Sequence, residues 1–315
     1  MYKNKIISVL VPAYNEEGLI SKVIDTIPSF VDKLLIVNDG STDKTQEIVK
    51  QMMEKNSKIS LINHKKNCGV GAAMVTAYKW ARDNDVDVAV VMGGDAQMDP
   101  NDMQKLLDPI IENNVDYAKG NRLIMENVRK EMPTFRYYGN QILSLLTKIA
   151  SGYWHIADSQ CGYVAINKKA LKRINWDKQY TGYGHVNDLL VLLNVENFRV
   201  KDVPVQPIYN IGEKSGINVC SLVFKLSWLL FKRFFWRLKI KYVVKDFHPL
   251  VFFYALGWFF WGSTIALSVR VLYFWIYFDT IPSINALAAF FSFMSASLFT
   301  LFAMWFDMDA NKNLR

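Results

Sequence analysis

Short apolar runs alternate with amphipathic stretches through the first 120 residues. Ile6–Val11, Lys33–Val37, Ile59–Ile62, Asp87–Met92 and Val115–Ala118 read as buried strands. The segments between them, 18–27, 43–55, 71–83 and 101–113, read as helices. Strands alternating with helices imply βαβ units and a mostly parallel sheet, the α/β class. Such a sheet takes its ligands in the crevice beyond the carboxyl ends of its strands. The unusual residues cluster there: PAYNE after the first strand, NDGSTD after the second, NHKKNCGVG after the third and GGDAQMDP after the fourth. From 120 to 215 the pattern loosens to a helix over 136–150, a strand over Gly162–Asn167, a helix over Asn187–Asn194 and the extended Val200–Tyr209.

The last third differs. The segment 218–245 has seven basic residues and no acidic ones, with Arg233, Arg237, Lys241 and Lys245 recurring every four residues among Trp228, Phe231, Phe234, Phe235 and Trp236. This pattern suits a helix lying in a membrane interface. The alternatives are an amphipathic helix packed on its own domain and a nucleic-acid-binding stripe. Leu250–Val269 then gives twenty uncharged residues, about 30 Å of helix and one bilayer core. Ile284–Phe306 gives a second span of 23. Arg270 is expected at the far end of the first span, snorkelling to headgroups beside an aromatic belt of Tyr273, Trp275 and Tyr277. Basic residues before the first span and almost none in the connecting loop put the catalytic domain and both termini in the cytoplasm, on a multi-pass protein of the cell membrane. The expected division is 1–217, a catalytic domain; 218–247, interface helices; and 248–315, a two-helix transmembrane hairpin.

Composition sharpens this division. The chain is 51% hydrophobic and 21% charged, which excludes a disordered or fibrous protein. Residues 216–315 hold 27 of the 44 aromatic residues and ten Lys/Arg against four Asp/Glu, whereas residues 1–215 carry 27 basic and 25 acidic side chains. A near-neutral soluble domain is followed by a basic, membrane-seeking tail, and no nucleic-acid partner is expected. Three scattered cysteines, Cys68, Cys161 and Cys220, make neither a disulfide framework nor a zinc site. The run Ile6–Val11 is too short for a signal-peptide core.

Candidate chemistry sits in the loops. Asp39, in the crevice, can accept the imino N–H of a uracil or guanine ring, while Ser41 or Thr42 is placed to cap the next helix. Asn67-Cys-Gly-Val-Gly-Ala-Ala has Met74 at the third glycine position of a dinucleotide fingerprint and follows the wrong strand for one. Its small residues instead let a backbone approach a nucleoside. Asp95 and Gln97, two apart on an extended chain, point the same way and suit a hard divalent cation that also holds a diphosphate. Arg136 and Asn140 share a helical face, and with Arg122 they suit a phosphate.

In order, VPAYNEE (11–17), VNDGSTDKT (37–45), NCGVGAA (67–73), GGDAQMDP (93–100), GNR (120–122), DSQCGY (158–163) and GEKSGI (212–217) resemble glycosyltransferase family 2 with its GT-A, Rossmann-like fold. Within it they are most similar to the dolichyl-phosphate hexose synthases. The resemblance implies inverting transfer of a hexose from a nucleotide diphosphate sugar to dolichyl or polyprenyl phosphate at the membrane, with UDP-N-acetylglucosamine or UDP-glucose favoured over GDP-mannose. It implies that Pro12, Tyr14, Glu16, Asp39, Gly71, Asp95, Lys214 and Ser215 bind the nucleotide sugar. Asp95 and Gln97 would hold Mg²⁺ or Mn²⁺. Arg122, Arg136 and Asn140 would grip the acceptor phosphate, and Asp95, Arg122 and Arg136 would serve catalysis. Gly93 stands where the family usually has Asp, so one protein ligand to the cation is missing. Competing readings are a transferase extending a lipid-linked saccharide hydroxyl with Asp188 as base, a processive synthase (whose QxxRW motif is absent from the sequence), and an inactive membrane-anchored scaffold.

Overall fold

The computed structural model describes residues 1–112, 115–124, 134–208 and 219–315. Among them, β1 (Ile7–Ala13), β2 (Lys33–Asn38), β3 (Ile59–Asn63), β4 (Val88–Val91), β5 (Tyr117–Asn121), β6 (Val164–Asn167) and β7 (Val200–Pro204) form one sheet in the order β3-β2-β1-β4-β6-β5-β7. The first four run parallel, with Val9 opposite Leu34 on one side and Val90 on the other. β6 enters antiparallel between β4 and β5, and β7 lies parallel to β5. All four residues of β4 and six of seven in β1 are buried, which is why these strands read as continuous apolar runs rather than alternating ones.

The helices of this part are α1 (Ile20–Asp25), α2 (Thr45–Lys55), α3 (Val70–Asp83), α4 (Met103–Glu112), α5 (Thr134–Ser151), α6 (Lys168–Arg173) and α7 (His185–Val195). A 3₁₀ turn over Pro100–Asp102 leads into α4, with the Asp99 side chain accepting from the Asn101 N–H and Pro100 at the first position. The one-turn-and-a-half α6 has no amphipathic signal in the sequence. It is started by the Asn167 side chain, which accepts from the Ala170 N–H at 2.8 Å. Ile7, Val9 and Val11 of β1 pack with Ile20, Val23, Leu106 and Leu107 in the core.

The described chain packs as two units, Met1–Phe234 with Leu314–Arg315, and Phe235–Asn313. The division falls inside α8 (Val219–Lys239). In the second unit a π-helical turn (Ile240–Lys245) ends α8, and α9 (Leu250–Phe278) and α10 (Ser283–Ala310) follow. Both are long and apolar enough to cross a membrane. The first helix continues nine residues past the expected span, Leu250–Val269, to Phe278, so Arg270 lies inside the helix, about 30 Å along it from Leu250. Its guanidinium sits 5.8 Å from the Phe274 ring centre. Small residues let the two helices approach: Ser292, Ala296 and Ala303 are buried, and a Cβ on Gly257 would lie a tight 3.0 Å from the Thr300 hydroxyl.

Candidate active site

The loops beyond β1, β2, β3 and β4 close on a cavity of about 590 Å³. Its walls include Pro12, Tyr14, Glu16, Asp39, Cys68, Gly69, Gly94 and Asp95, and on the far side Tyr180, Thr181, Gly182 and Tyr183. Of the expected nucleotide-binding residues, Pro12, Tyr14, Glu16, Asp39 and Asp95 line one pocket.

The second motif builds this wall by supporting the first. Asn15, at φ +56°, has its N–H on the Ser41 hydroxyl at 3.0 Å and its side-chain oxygen on the Thr42 N–H at 2.8 Å. The Glu16 N–H donates to Thr45 Oγ1 at 2.8 Å and the Glu17 N–H to Asp43 at 3.1 Å. Ser41 and Thr42 therefore serve the neighbouring loop and not the start of α2, where Asp43 accepts from the Thr45 N–H instead.

Asp39 is buried and heavily bonded. One carboxylate oxygen accepts from the Cys68 N–H at 3.0 Å and lies 2.7 Å from His64 Nδ1, while the other accepts from the Gly69 N–H at 2.8 Å. His64 Nε2 lies 2.9 Å from the Thr76 hydroxyl. The sequence reading missed His64, whose only signal is its place at the end of β3. The ligand atoms of Asp39, His64 and Cys68 lie within 4.8 Å of one another, closer than the cysteine spacing suggested. The hydrogen bonds already made account for that closeness. Gly71 does not line the cavity: a Cβ there would meet the Thr181 backbone at 2.4 Å, and the Ala72 N–H donates to the Thr181 carbonyl at 3.1 Å. Its smallness admits the protein's own 180–183 segment.

The fourth loop is a turn, not the extended chain expected. Ala96 has φ +58°, and the Gln97 N–H donates to Asp95 Oδ1 at 3.2 Å. Asp95 and Gln97 therefore do not point the same way by strand alternation. A Cβ on Gly93 would lie 2.7 Å from Asp95 Oδ1, so the Asp95 carboxylate uses the space that a side chain at 93 would need. Glu16 takes up the partnership. Its carboxyl is pushed up to about 7 by partial burial and then by the nearby Asp95 and Asp43 charges. Two carboxylates that repel each other at a partly buried site are a donor set suited to a hard divalent cation.

On the other side of β5, Arg122 donates from Nε and Nη2 to Asp158 at 2.8 and 3.2 Å, and its backbone N–H reaches the same carboxylate. Burial opposes ionisation of Asp158, but the Arg122 guanidinium outweighs it and holds the carboxyl below its usual range. Asp158 opens the DSQCGY motif, and its role as the orienter of Arg122 is visible only in three dimensions. Asn140 lies on α5, half-buried. Arg136 also belongs to α5, but its side chain, like all of Lys214 and Ser215, lies outside the described residues. A separate groove of about 570 Å³ is lined by Leu123, Ile124, Gln141, Ile142, Leu145 and Lys148, the chain neighbours of Arg122 and Asn140 among them.

Asp188 corrects one alternative. It is fully buried, paired to Arg233 and bonded to the Tyr180 N–H at 2.7 Å. A carboxylate so enclosed does not serve as a base toward a substrate hydroxyl.

A mostly parallel sheet that gathers carboxylates and tight loops over a pocket at its strand ends has the ligand-binding architecture of an α/β enzyme. Residues 8–174 match the model of glycosyl transferase family 2, and the chain belongs to that family. It is 33% identical over 241 residues to a UDP-N-acetylglucosamine–dolichyl-phosphate N-acetylglucosaminyltransferase of Methanococcus voltae, covering 72% of this chain and 95% of that one. It is 26% identical to a dolichyl-phosphate beta-glucosyltransferase of Trichomonas vaginalis, covering 76% of each. Among solved structures, glucosyl-3-phosphoglycerate synthase of Mycobacterium tuberculosis with Mn²⁺ and UDP-glucose shares the fold at TM-score 0.53 and 18% identity, over 75% of this chain and 80% of that one.

Proposed function

We propose that this glycosyltransferase moves a hexose, N-acetylglucosamine or glucose, from its uridine diphosphate donor to the phosphate of dolichyl or another polyprenyl phosphate. The observation that carries the reading is the pocket joining Asp39, Glu16 and Asp95 at the strand ends, in a chain that spans 95% of the Methanococcus voltae N-acetylglucosaminyltransferase. Asp39, on the pocket wall, would accept an imino N–H. Glu16 and Asp95 would hold Mg²⁺ or Mn²⁺, with which structures sharing this fold were crystallised, and Gln97 would assist through its side chain. The cation would offset charge on the leaving diphosphate.

The acceptor side needs no general base. A phosphate monoester has a second pKa near ~6, so it is already a dianion at neutral pH. The chemical problem is bringing two anions together, and Arg122, held by Asp158, supplies one compensating charge. Arg136, Asn140, Lys214 and Ser215 complete this proposed set. The mostly apolar groove that begins at Leu123, next in the chain to Arg122, would take the first isoprene units of the lipid. The basic residues of 218–245 favour a cytoplasmic catalytic domain, with both termini on the same side.

Membranes from expressing cells, given dolichyl phosphate, Mg²⁺ or Mn²⁺ and a panel of radiolabelled nucleotide sugars, test this directly. Metal-dependent label should enter organic extract from a UDP sugar and be reversed by UDP. No extractable label from any donor would overturn the reading, and label from GDP-mannose alone would overturn the choice of sugar. Arg122→Ala should raise the acceptor KM or lower kcat by about 10²-fold, the scale for one lost transition-state contact. UDP binding should hold within twofold, and an equal loss of UDP affinity would remove Arg122 from the acceptor side.

A further inference from the structure

One wall of the nucleotide pocket is not held by the sheet. Tyr180–Tyr183 hang between a 3₁₀ turn (Trp176–Lys178) and α7. α3 holds its middle, through the Ala72 N–H on the Thr181 carbonyl, and a second hold comes from α8, the basic aromatic helix, through the part of it that packs with the catalytic unit. Arg233 donates from Nε and Nη2 to both oxygens of Asp188, and Nη2 also donates to the Lys178 carbonyl at 2.6 Å. Asp188 in turn accepts from the Tyr180 N–H at 2.7 Å. The guanidinium thus ties both ends of Lys178–Tyr180. Packing reinforces the tie: Leu226 and Leu230 are buried, and a Cβ on Gly184 would lie 2.3 Å from Leu226 and 2.9 Å from Leu229.

The opposite face of the same helix has different chemistry. Phe224, Trp228 and Phe231 are more than half exposed, Trp228 stacks on Phe231, and the Lys232 ammonium lies 5.0 Å from the Trp228 ring centre. Aromatic rings with interleaved lysines suit a lipid surface. One helix therefore offers an interfacial face outward and braces the nucleotide pocket inward.

We propose that Arg233 is a positioning residue for the donor site: from the interface helix it fixes the Lys178–Tyr183 wall against which the nucleoside diphosphate is held. This rests on the reading of the pocket as a nucleoside diphosphate site. Arg233 touches no substrate and acts through the Lys178 carbonyl and, by way of Asp188, the Tyr180 N–H. Membrane seating of α8 and donor affinity then share one mechanical link.

The test titrates UDP and Mn²⁺ into the full-length protein in lipid nanodiscs and measures donor and acceptor KM separately. Arg233→Met should raise the UDP Kd and the donor KM about tenfold, the size expected for lost charge-assisted hydrogen bonds, with the acceptor KM within twofold. Arg233→Lys keeps a charge on Asp188 but not the fork that also reaches Lys178, so it should fold normally and still weaken UDP about threefold. The pair Asp188→Leu with Arg233→Met removes the stranded carboxylate, so it should regain thermal stability without regaining UDP affinity. Unchanged UDP affinity in a folded Arg233→Lys protein would overturn the proposal, as would donor and acceptor KM rising together or affinity returning with stability in the pair. Wild-type protein that binds neither UDP nor GDP would overturn the pocket reading, and this inference with it.

Discussion

Replacing Asp95 with Asn should lower turnover by about 10²–10³-fold, the scale for losing one preorganised electrostatic contact to developing charge. The fold should be untouched. Asp95 is only half-buried, on a turn whose single non-glycine left-handed residue is Ala96, and an amide oxygen still accepts from the Gln97 N–H. What the substitution removes is charge. By its resemblance the family would have a second carboxylate at 93, but here Gly93 leaves Asp95 with Glu16 as its neighbour, and in the variant Glu16 would be the one carboxylate of the proposed cation set that remains. The same pair sets a pH signature. With its carboxyl at about 7, Glu16 carries a proton on the acid side, which a cation has to displace, so Mn²⁺ affinity should weaken as pH falls through 7. In Asp95→Asn one source of the upward shift is gone, and this pH dependence should move to lower pH. Full turnover by a folded Asp95→Asn protein would take cation-assisted departure of the diphosphate out of the mechanism. Turnover and Mn²⁺ titration at pH 6 and 8 decide both points.

The parts of this molecule that sequence reveals are those where one residue's environment is fixed by its near neighbours. β1, β2 and β4 are buried almost throughout, so their apolar runs mark them, β3 at the sheet edge keeps a short apolar run with only Ile59 buried, and the loops at their carboxyl ends carry the motifs. The two long apolar helices announce themselves by length alone. What stayed hidden depends on partners distant in the chain. β6 lies antiparallel between β4 and β5, yet nothing in Val-Ala-Ile-Asn encodes which strands will flank it. α7 has all eleven residues buried, so it shows no amphipathic period to mark its ends. Asp188 resembles a well-placed base until Arg233, 45 residues later, is seen to enclose it. Asp158 and Lys119 are similar: the first orients Arg122, and the second is a fully buried lysine bonded to the Cys161 carbonyl. The alternation argument failed at Asp95 and Gln97 because one left-handed residue, Ala96, cancels it. Gly71 was read as room for a ligand when it is room for Thr181, a distinction that no local pattern makes.

Arg237→Met should destabilise the membrane-anchoring unit by about 3–5 kcal/mol, the cost of stranding one member of a buried ion pair. Arg237 and Asp307 are both fully enclosed, and the guanidinium makes two parallel bonds to the carboxylate, each 2.8 Å. The Tyr242 hydroxyl donates to the same carboxylate at 2.6 Å, Asn311 donates to Tyr242 at 2.8 Å, and the Lys241 ammonium reaches Asn311 Oδ1 at 2.7 Å. Every polar group in this cluster relies on another, so the loss of the guanidinium leaves the Asp307 carboxylate without its directly paired charge. The cluster joins the end of α8 and the π-helical turn to the last turn of α10, just beyond the second apolar span. Its charges therefore fix where the interface helix meets the hairpin, a join that apolar contact alone would leave free to slide. Deleting both charges, as Arg237→Met with Asp307→Leu, should restore most of the stability, because neither ion is then left buried alone. Thermal unfolding of the purified protein in detergent, followed by loss of the monodisperse species, measures both variants. A single variant as stable as wild type would show that water reaches Asp307. A double variant no better than the single one would place the stabilisation in the Tyr242 and Asn311 bonds rather than in the ion pair.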